Sequence, residues 1–320
     1  MKAIRVHEHG GPDVMRLESV PELSAEPRHI VVEIKAAGVN PVDTYIREGW
    51  YPLQKPLPYT PGMDGAGTVL QVGHEVKHVT VGDRVFVCGA LSGTYAQQAM
   101  CRPHEVFRLP EGIDYAQGAA LGVPYGTACQ SLFGRARAAA GQTVLVHGAS
   151  GGVGIAAVQL AAAAGLTVIA TAGTEKGRQL VTDQGAKWAL DHHKPEHFDT
   201  VNELTEGRGV DIVLEMLANV NLDRDLEILA HGGCVVVIGC RGRVEIDPRK
   251  AMARDLNILG MVLMNTPPHE LMAIYARIQA GLEAGTLCPV VGRELPLDQA
   301  ARAHHEIIES SHLGKIVLIP

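Results

Sequence analysis

Between Val144 and Asn257 the chain repeats one unit. Apolar, β-branched runs begin near Val144, Thr167, Trp188, Asp211, Cys234 and Asn257, at intervals of 23, 21, 23, 23 and 23 residues. Such an interval holds one strand, one helix and their turns, the length of a right-handed strand–helix–strand crossover. Runs such as Val144-Leu145-Val146, Ile212-Val213-Leu214 and Val235-Val236-Val237-Ile238 are continuous rather than alternating. Strands read that way when helices cover both faces of their sheet. The spacing therefore predicts an α/β fold, with a six-stranded, doubly wound parallel sheet inside residues 122–263.

Residues 1–121 read differently, as a loop-rich, mostly β domain. Short strands (Ile30 to Ala37, Thr68 to Val72, Arg84 to Val87, Thr94 to Ala99) are separated by Gly-Pro, Pro-Gly and Val-Gly-Asp turns. Beyond the sheet, Glu270 to Leu282 and Leu297 to Ile308 have helical spacing, and Lys315 to Ile319 reads as a strand. Residues 264–320 are too few for a third domain and are expected to complete the first, leaving a cleft between two domains in which ligands bind. With 46% hydrophobic and 20% charged residues the chain reads as soluble, globular and ordered. Lysine plus arginine number 28 against 35 acids, a net charge of -7, so nucleic acid and acidic membranes are not expected partners. Val153 to Ala172 is the most apolar stretch, but Gln159 interrupts it and Gly165 splits it into a helix and a strand, so it reads as core. The opening Met1-Lys2-Ala3-Ile4-Arg5 puts charges where an export signal would be apolar, and six scattered cysteines without a CxxC pair fit reduced thiols. A cytoplasmic home follows as the expectation.

The strand Thr143 to His147 runs into Gly148-Ala149-Ser150-Gly151-Gly152-Val153-Gly154 and then a helix. Gly151 and Gly154 stand at the second and third positions of the dinucleotide fingerprint, with Ala149 at the first. Missing side chains at such a turn let backbone N–H groups and the helix N-terminus reach a pyrophosphate. An NAD-preferring site carries a carboxylate at the tip of the next strand, for the ribose 2′-OH. Here that strand ends Thr171-Ala172-Gly173-Thr174, with Lys176 and Arg178 following, and Glu175 reads as a solvated residue on the next helix. The expected cofactor is NADPH.

Ala37-Gly38-Val39-Asn40-Pro41-Val42-Asp43-Thr44-Tyr45, Pro61 to Gly67, Val81-Gly82-Asp83-Arg84-Val85 and the glycine turn together resemble the medium-chain dehydrogenase/reductase superfamily. Within it, Glu215-Met216-Leu217-Ala218-Asn219-Val220-Asn221-Leu222 is similar to the zinc-free, zeta-crystallin-like quinone oxidoreductase branch. The resemblance implies a GroES-like catalytic domain (1–121, completed by 264–320), a Rossmann NADPH-binding domain (122–263) and a homodimer or higher homo-oligomer. Zinc-dependent members hold their catalytic metal with two cysteines and a histidine. The matching positions here read Asn40, Met63 and, less surely aligned, Val123, and the four-cysteine structural lobe is missing, so no metal is expected.

Carried over residue by residue, the resemblance places Ser150, Gly151, Gly152, Val153 and Gly154 on the pyrophosphate and Gly173 with Lys176 at the adenosine phosphate. His192 matches a cofactor-contacting position, with an ordinary surface histidine as the alternative. Asn221, the turn Gly239, Cys240, Arg241, and the run Met261, Val262, Leu263 are implied on the nicotinamide side. Asn40, Tyr45 and Thr127 are implied as catalytic, Tyr45 also touching cofactor; Asn40 has a second reading as a turn cap and Tyr45 as a core aromatic. Asp43 reads as structural, and Trp50 with Tyr51 as shaping the acceptor entrance. Of 15 histidines, the pairs His192-His193 and His304-His305 are expected to diverge, because neighbouring side chains do so in helix and strand. Without a Lewis acid the chemistry falls to an electron-poor acceptor, and a quinone heads the expectation. Whether electrons pass singly or as a pair stays open. An enone or alkenal reductase and a non-catalytic NADPH-binding protein are the competing readings.

Overall fold

The computed structural model describes residues 1–51, 55–309 and 313–320. It divides into two compact units, Met1–Val123 with Pro268–Pro320, and Pro124–Pro267.

The first unit opens on a hairpin of β1 (Lys2–Val6) and β2 (Met15–Ser19). There follow β3 (Ile30–Gly38), helix α1 (Pro41–Glu48), β4 (Asp64–Val72), β5 (Arg84–Cys88), β6 (Gln98–Cys101), β7 (Val106–Arg108) and α2 (Tyr115–Gly118). Helix α3 (Gly122–Cys129) leads into the second unit. That unit alternates β8 (Thr143–Val146), α4 (Gly152–Ala163), β9 (Thr167–Thr171), α5 (Glu175–Asp183), β10 (Trp188–Leu190), α6 (His197–Leu204), β11 (Val210–Glu215), α7 (Ala218–Ile228), β12 (Leu229–Val237), α8 (Pro248–Met252) and β13 (Asn257–Gly260). The chain then returns to the first unit with α9 (Pro268–Glu283), β14 (Val291–Pro296), α10 (Ala300–Glu309) and β15 (Lys315–Ile319).

The repeat at 23 residues is the Rossmann domain. All six strands of its sheet run parallel, in the order β10-β9-β8-β11-β12-β13. The chain steps outward from β8 to one edge, then restarts beside β8 and steps to the other, so the order reverses between β8 and β11, where such sheets bind ligands. Ile169, Val213, Val235 and Leu226 form a core that is fully or almost fully shielded from water. Strand β12 starts five residues before Cys234, because Leu229 pairs with Val210 across an irregularity before regular pairing begins at Ile212.

In the first unit β14, β15, β3, β4, β5 and β7 form one sheet, with β6 also on β3. This is the GroES-like domain, and its sheet needs β14 and β15 from the far end of the chain. The expected strand Thr94 to Ala99 is displaced to Gln98–Cys101. Its first residues are claimed elsewhere: Tyr95 donates its N–H to Pro61 O and accepts from Ile4 N–H, and Ala96 bridges Ala3. Local apolar pattern marked the segment as extended and left its partner unspecified.

Candidate functional site

The glycine turn hangs between β8 and α4. Gly148 takes a left-handed φ of 55°, its N–H donates to Thr171 Oγ1 at 3.1 Å, and Ala149 N–H donates to Thr171 O at 2.8 Å, so the tip of β9 straps the turn down. Two glycines play different parts. A methyl on Gly154 would lie 2.4 Å from the Ala149 Cα, so this glycine lets the helix pack on the turn. A methyl on Gly151 would meet only the Gly148 carbonyl, at 3.7 Å, so space is open there. Gly152, Val153 and Gly154 open α4, where N–H groups have no partner within the helix. With Ser150 beside them they make a cradle that fits a pyrophosphate, with the helix dipole favouring its charge.

The tip of β9 carries no carboxylate. Glu175 is the first, exposed residue of α5, whose N-cap Thr174 accepts from Gly177 N–H at 3.0 Å. Lys176 is exposed and has no hydrogen-bond or ion-pair partner among the described residues, whereas Arg178 is held by Asp191 at 3.1 Å. Of the two cations, Lys176 is the one left for an added phosphate. Gly173 lies beneath His192 and His193: a methyl there would sit 2.8 and 2.6 Å from their Nε2 atoms. The two rings are 4.7 Å apart, which corrects the expectation that this pair diverges; the residues lie on a turn, not on a helix or strand. His304 and His305 do diverge, one buried against Tyr95 and the other exposed beside Glu309. Burial lowers the pKa of His192, favouring its neutral form.

On the far side of the switch in strand order, Asn221 Nδ2 donates to Glu215 Oε1 at 3.3 Å. Gly239 allows its backbone to pass the Met216 carbonyl, 2.2 Å from where a Cβ would stand, and Arg241 N–H donates to Asn219 Oδ1 at 2.8 Å. Cys240 and Arg241 are exposed. Met261 and Leu263 are buried while Val262 faces outward, and Thr127 is buried in α3.

In the first unit Asn40 begins α1, yet its side chain does not cap the helix. Asp43 does that work by accepting from Asn40 N–H at 2.9 Å. The amide turns instead to Asp64 and Lys315. Its Nδ2 donates to Asp64 Oδ2 at 2.9 Å, and Lys315 Nζ donates to Asn40 Oδ1 at 2.6 Å and to Asp64 Oδ2 at 2.8 Å. Asp64 Oδ1 accepts from Val123 N–H at 2.7 Å. A Cβ on Gly122 would stand 2.3 Å from that oxygen, and one on Gly38 would meet Lys315 Cε at 2.8 Å, so two glycines admit the pair. Behind it runs a directed chain of hydrogen bonds. Arg47 donates to His304 Nδ1 at 2.8 Å, which leaves the imidazole proton on Nε2 to bond the Tyr95 hydroxyl at 3.1 Å, and Tyr95 donates to Asp43 Oδ2 at 3.4 Å. Burial, then Arg47, pushes the His304 pKa down to about 3, and burial, then Asp64, pushes Asp43 up to about 7. Tyr45 is half-buried, with its ring 5.0 Å from that of the exposed Trp50.

Asp64, Lys315, Thr171 and Glu215 escaped the sequence reading. Glu215 at the carboxyl end of a central strand was a usable signal; Lys315 reads as an ordinary charged strand start and gives none. The donors do not fit catalytic zinc. Asn40 offers an amide already bonded twice, Met63 and Val123 offer no imidazole or thiolate, and the ammonium of Lys315 lies beside them. Among the described residues one group of three metal-ligand types does converge, His147, Glu215 and Asp225, and it lies in the other unit.

Residues 26–112 match the family model of the alcohol dehydrogenase GroES-like domain, and 152–279 match that of the zinc-binding dehydrogenases. Quinone oxidoreductase from Rattus norvegicus is 47% identical over 321 residues, covering 100% of this chain and 98% of that protein. The Homo sapiens enzyme is 46% identical over 321 residues with the same coverage. Among solved structures, the Escherichia coli quinone oxidoreductase complexed with NADPH superposes with a TM-score of 0.90 at 30% identity, covering 100% of both chains. A zinc-binding family model thus matches a chain whose own donors are unsuited to zinc, and full-length likeness to quinone oxidoreductases accounts for both facts: the chain belongs to the quinone oxidoreductase branch of the medium-chain dehydrogenase/reductase superfamily.

Proposed function

We propose that the protein is an NADPH-dependent quinone reductase that works without a metal. The observation that carries this reading is the knot at Asn40: the amide at this matched ligand position is bonded to a carboxylate and an ammonium, Asp64 and Lys315, in place of a metal. A metal polarises a poor acceptor such as an aldehyde; a quinone is electron-poor already and asks for alignment and hydrogen bonds. The names of the relatives and the NADPH held by the E. coli structure support the same choice.

In this reading Ser150 and Gly151 to Gly154 bind the pyrophosphate, and Lys176, near Gly173 and His192, binds the 2′-phosphate. Asn221, Gly239 to Arg241, Met261 to Leu263 and Thr127 would hold the nicotinamide ring. When bound, the dinucleotide would supply the reducing equivalents that pass to the acceptor. Tyr45 through its hydroxyl, and Asn40 through the second hydrogen on Nδ2, the first being donated to Asp64, offer hydrogen bonds to the acceptor as negative charge grows on its oxygens, and water supplies the proton. Domain limits at 121 and 263, a cytoplasmic home for the free thiols and a homodimer belong to the same proposal. For the dimer, β13 is an edge strand with Asn257 and Ile258 exposed.

The test is an acceptor panel of quinones, enones, aldehydes and alcohols, followed at the NADPH absorbance with wild type and Lys176→Ala. Quinone reduction is expected, with NADPH preferred over NADH by roughly tenfold and the preference lost in the variant mainly through KM, since a charge-assisted contact contributes about 1.5 to 3 kcal/mol. Fast enone reduction with inert quinones would move the substrate class. Binding without turnover on any acceptor would remove the enzyme reading.

A further inference from the structure

Three ionisable side chains are packed together in the dinucleotide unit with no solvent near them. His147 follows β8, Glu215 ends β11 and Asp225 lies on α7; both carboxylates are fully buried and the imidazole nearly so. His147 Nε2 lies 2.9 Å from Asp225 Oδ1 and 3.6 Å from Glu215 Oε2. Glu215 Oε2 and Asp225 Oδ2 have no donor of their own, although the two carboxyl groups are within hydrogen-bonding reach of each other.

Two ionised carboxylates cannot share a dry space without a counter-charge, and a buried acceptor left unpaired is costly. One proton removes both difficulties, because the carboxyl that carries it then donates to the other, and an oxygen of each lies within 4.8 Å of the other. The other oxygens have work already. Asp225 Oδ1 accepts from His147 Nε2–H. Glu215 Oε1 accepts from Leu217 N–H, and from Asn221 Nδ2 at 3.3 Å. The geometry points to a shared proton, and we propose that it makes Glu215 a positioning residue: protonated as a pair with Asp225, Glu215 holds the Leu217–Asn221 turn in its cofactor-binding form. This rests on the reading that the turn faces the nicotinamide.

Among the described residues the surroundings supply no substitute charge close by. His197, on α6, has its ring centroid 6.2 Å from that of His147, and burial favours its neutral form. His192 is a further weak neighbour of the imidazole. Arg224, on α7, lies over Phe198 with its charge 4.5 Å from the ring centroid, while Asp223 and Glu227 pair with Lys250. Burial pushes Glu215 and Asp225 up to about 7, and pushes His147 down, so the cluster gives up its proton close to neutral pH. Above that, two like charges face each other and Glu215 must shift, taking Leu217 and Asn221 with it.

The test measures NADPH and NADH binding to the full chain by fluorescence titration at several pH values, for wild type, Glu215→Gln and Asp225→Asn, with infrared spectra of each. Between about pH 6.5 and about pH 8.5 the wild-type Kd should rise roughly tenfold. NADH, which has no 2′-phosphate to titrate, should show the same slope. Glu215→Gln keeps an acceptor for Leu217 and donates to Asp225 permanently, so it should bind as wild type does at low pH and lose the pH dependence; Asp225→Asn should do the same. Because Asp43 contributes a protonated-carboxyl stretch of its own to every sample, the readout is the wild-type-minus-variant difference: one carboxyl stretch present in wild type should be lost from both Glu215→Gln and Asp225→Asn. A wild-type Kd flat with pH, or an unchanged slope in both variants, overturns the coupling. A difference spectrum without that carboxyl band overturns the shared proton, as does a stoichiometric divalent metal lost on Glu215→Gln. Failure of either dinucleotide to bind at any pH overturns the cofactor reading, and the infrared band then judges the proton by itself.

Discussion

Lys315 is the most consequential side chain of the first unit. Its ammonium is shielded from water and, among the described residues, bonds two partners that are themselves buried, Asn40 and Asp64. Such a pair adds little net stability over an apolar one, but removing one partner strands the other's charge. Lys315→Met should therefore destabilise the fold by about 3 kcal/mol, softened by the two donors Asp64 retains, and Asp64→Asn in the same chain should restore part of the loss. Urea denaturation of the two single variants and the double variant reads the coupling directly. A loss below about 1 kcal/mol would show that the pair is not a buried ion pair at all. The contrast with Lys176 is one of burial: that lysine is exposed, without a partner among the described residues, and its removal should touch cofactor affinity and leave stability alone.

At the scale of elements, the β8–turn–α4 segment separates packing from binding. Gly154→Ala forces a methyl into the Ala149 backbone, whereas Gly151→Ala adds one to open space. The first should lower the melting temperature and the second should not, while both weaken NADPH binding; thermal melts with and without NADPH distinguish them. Equal melting temperatures for both variants would mean that the turn can shift to accept Gly154→Ala. This segment was legible from residues alone, because its signal is local: a strand, a fixed glycine spacing and a helix. The six-strand series was legible for the same reason. What sequence could not supply was partnership across distance. Nothing in a single chain read by spacing joins Lys315 to Asn40, 275 positions away, or His147 to Glu215 and Asp225. Nor could it tell that Tyr95 and Ala96 belong to the first hairpin and Pro61 rather than to β6. The His192-His193 pair failed differently: the rule for adjacent side chains assumes regular structure, and a turn escapes it.

For the whole molecule, the buried acids set the pH at which the fold is strongest. Asp43, Glu215 and Asp225 are each pushed up to about 7 by burial, above their ordinary values of 3.8, 4.5 and 3.8. A raised carboxyl favours the folded state while it is protonated, so that contribution is whole below about pH 4 and is lost as pH rises through about 7. Histidines act the other way: His304, lowered from 6.5 to about 3, costs stability as pH falls below 6.5 and nothing above it. Between these limits the two trends offset one another. Above about pH 6.5 only the acids still titrate, so stability should fall toward about pH 8 by roughly 1 to 3 kcal/mol as about two protons are released. Urea midpoints across that range check it, and Asp43→Asn should flatten part of the slope. A midpoint that climbs with pH would mean the acids are already ionised in the native protein.

The order in which the ribosome releases the chain gives the Lys315 knot a further meaning. The dinucleotide unit is one uninterrupted stretch, Pro124–Pro267, and can complete its sheet while later codons are still being read. The first unit cannot. Strand β3 is made before β15, which pairs with it, and Asn40 and Asp64 wait 275 and 251 residues for the ammonium they will hold. Until then the Asp64 carboxylate lacks the ammonium it pairs with in the folded chain. Arrival of Lys315 is thus a completion signal written in electrostatics: Asn40 and Asp64 take their final arrangement only once the chain has been translated past Lys315.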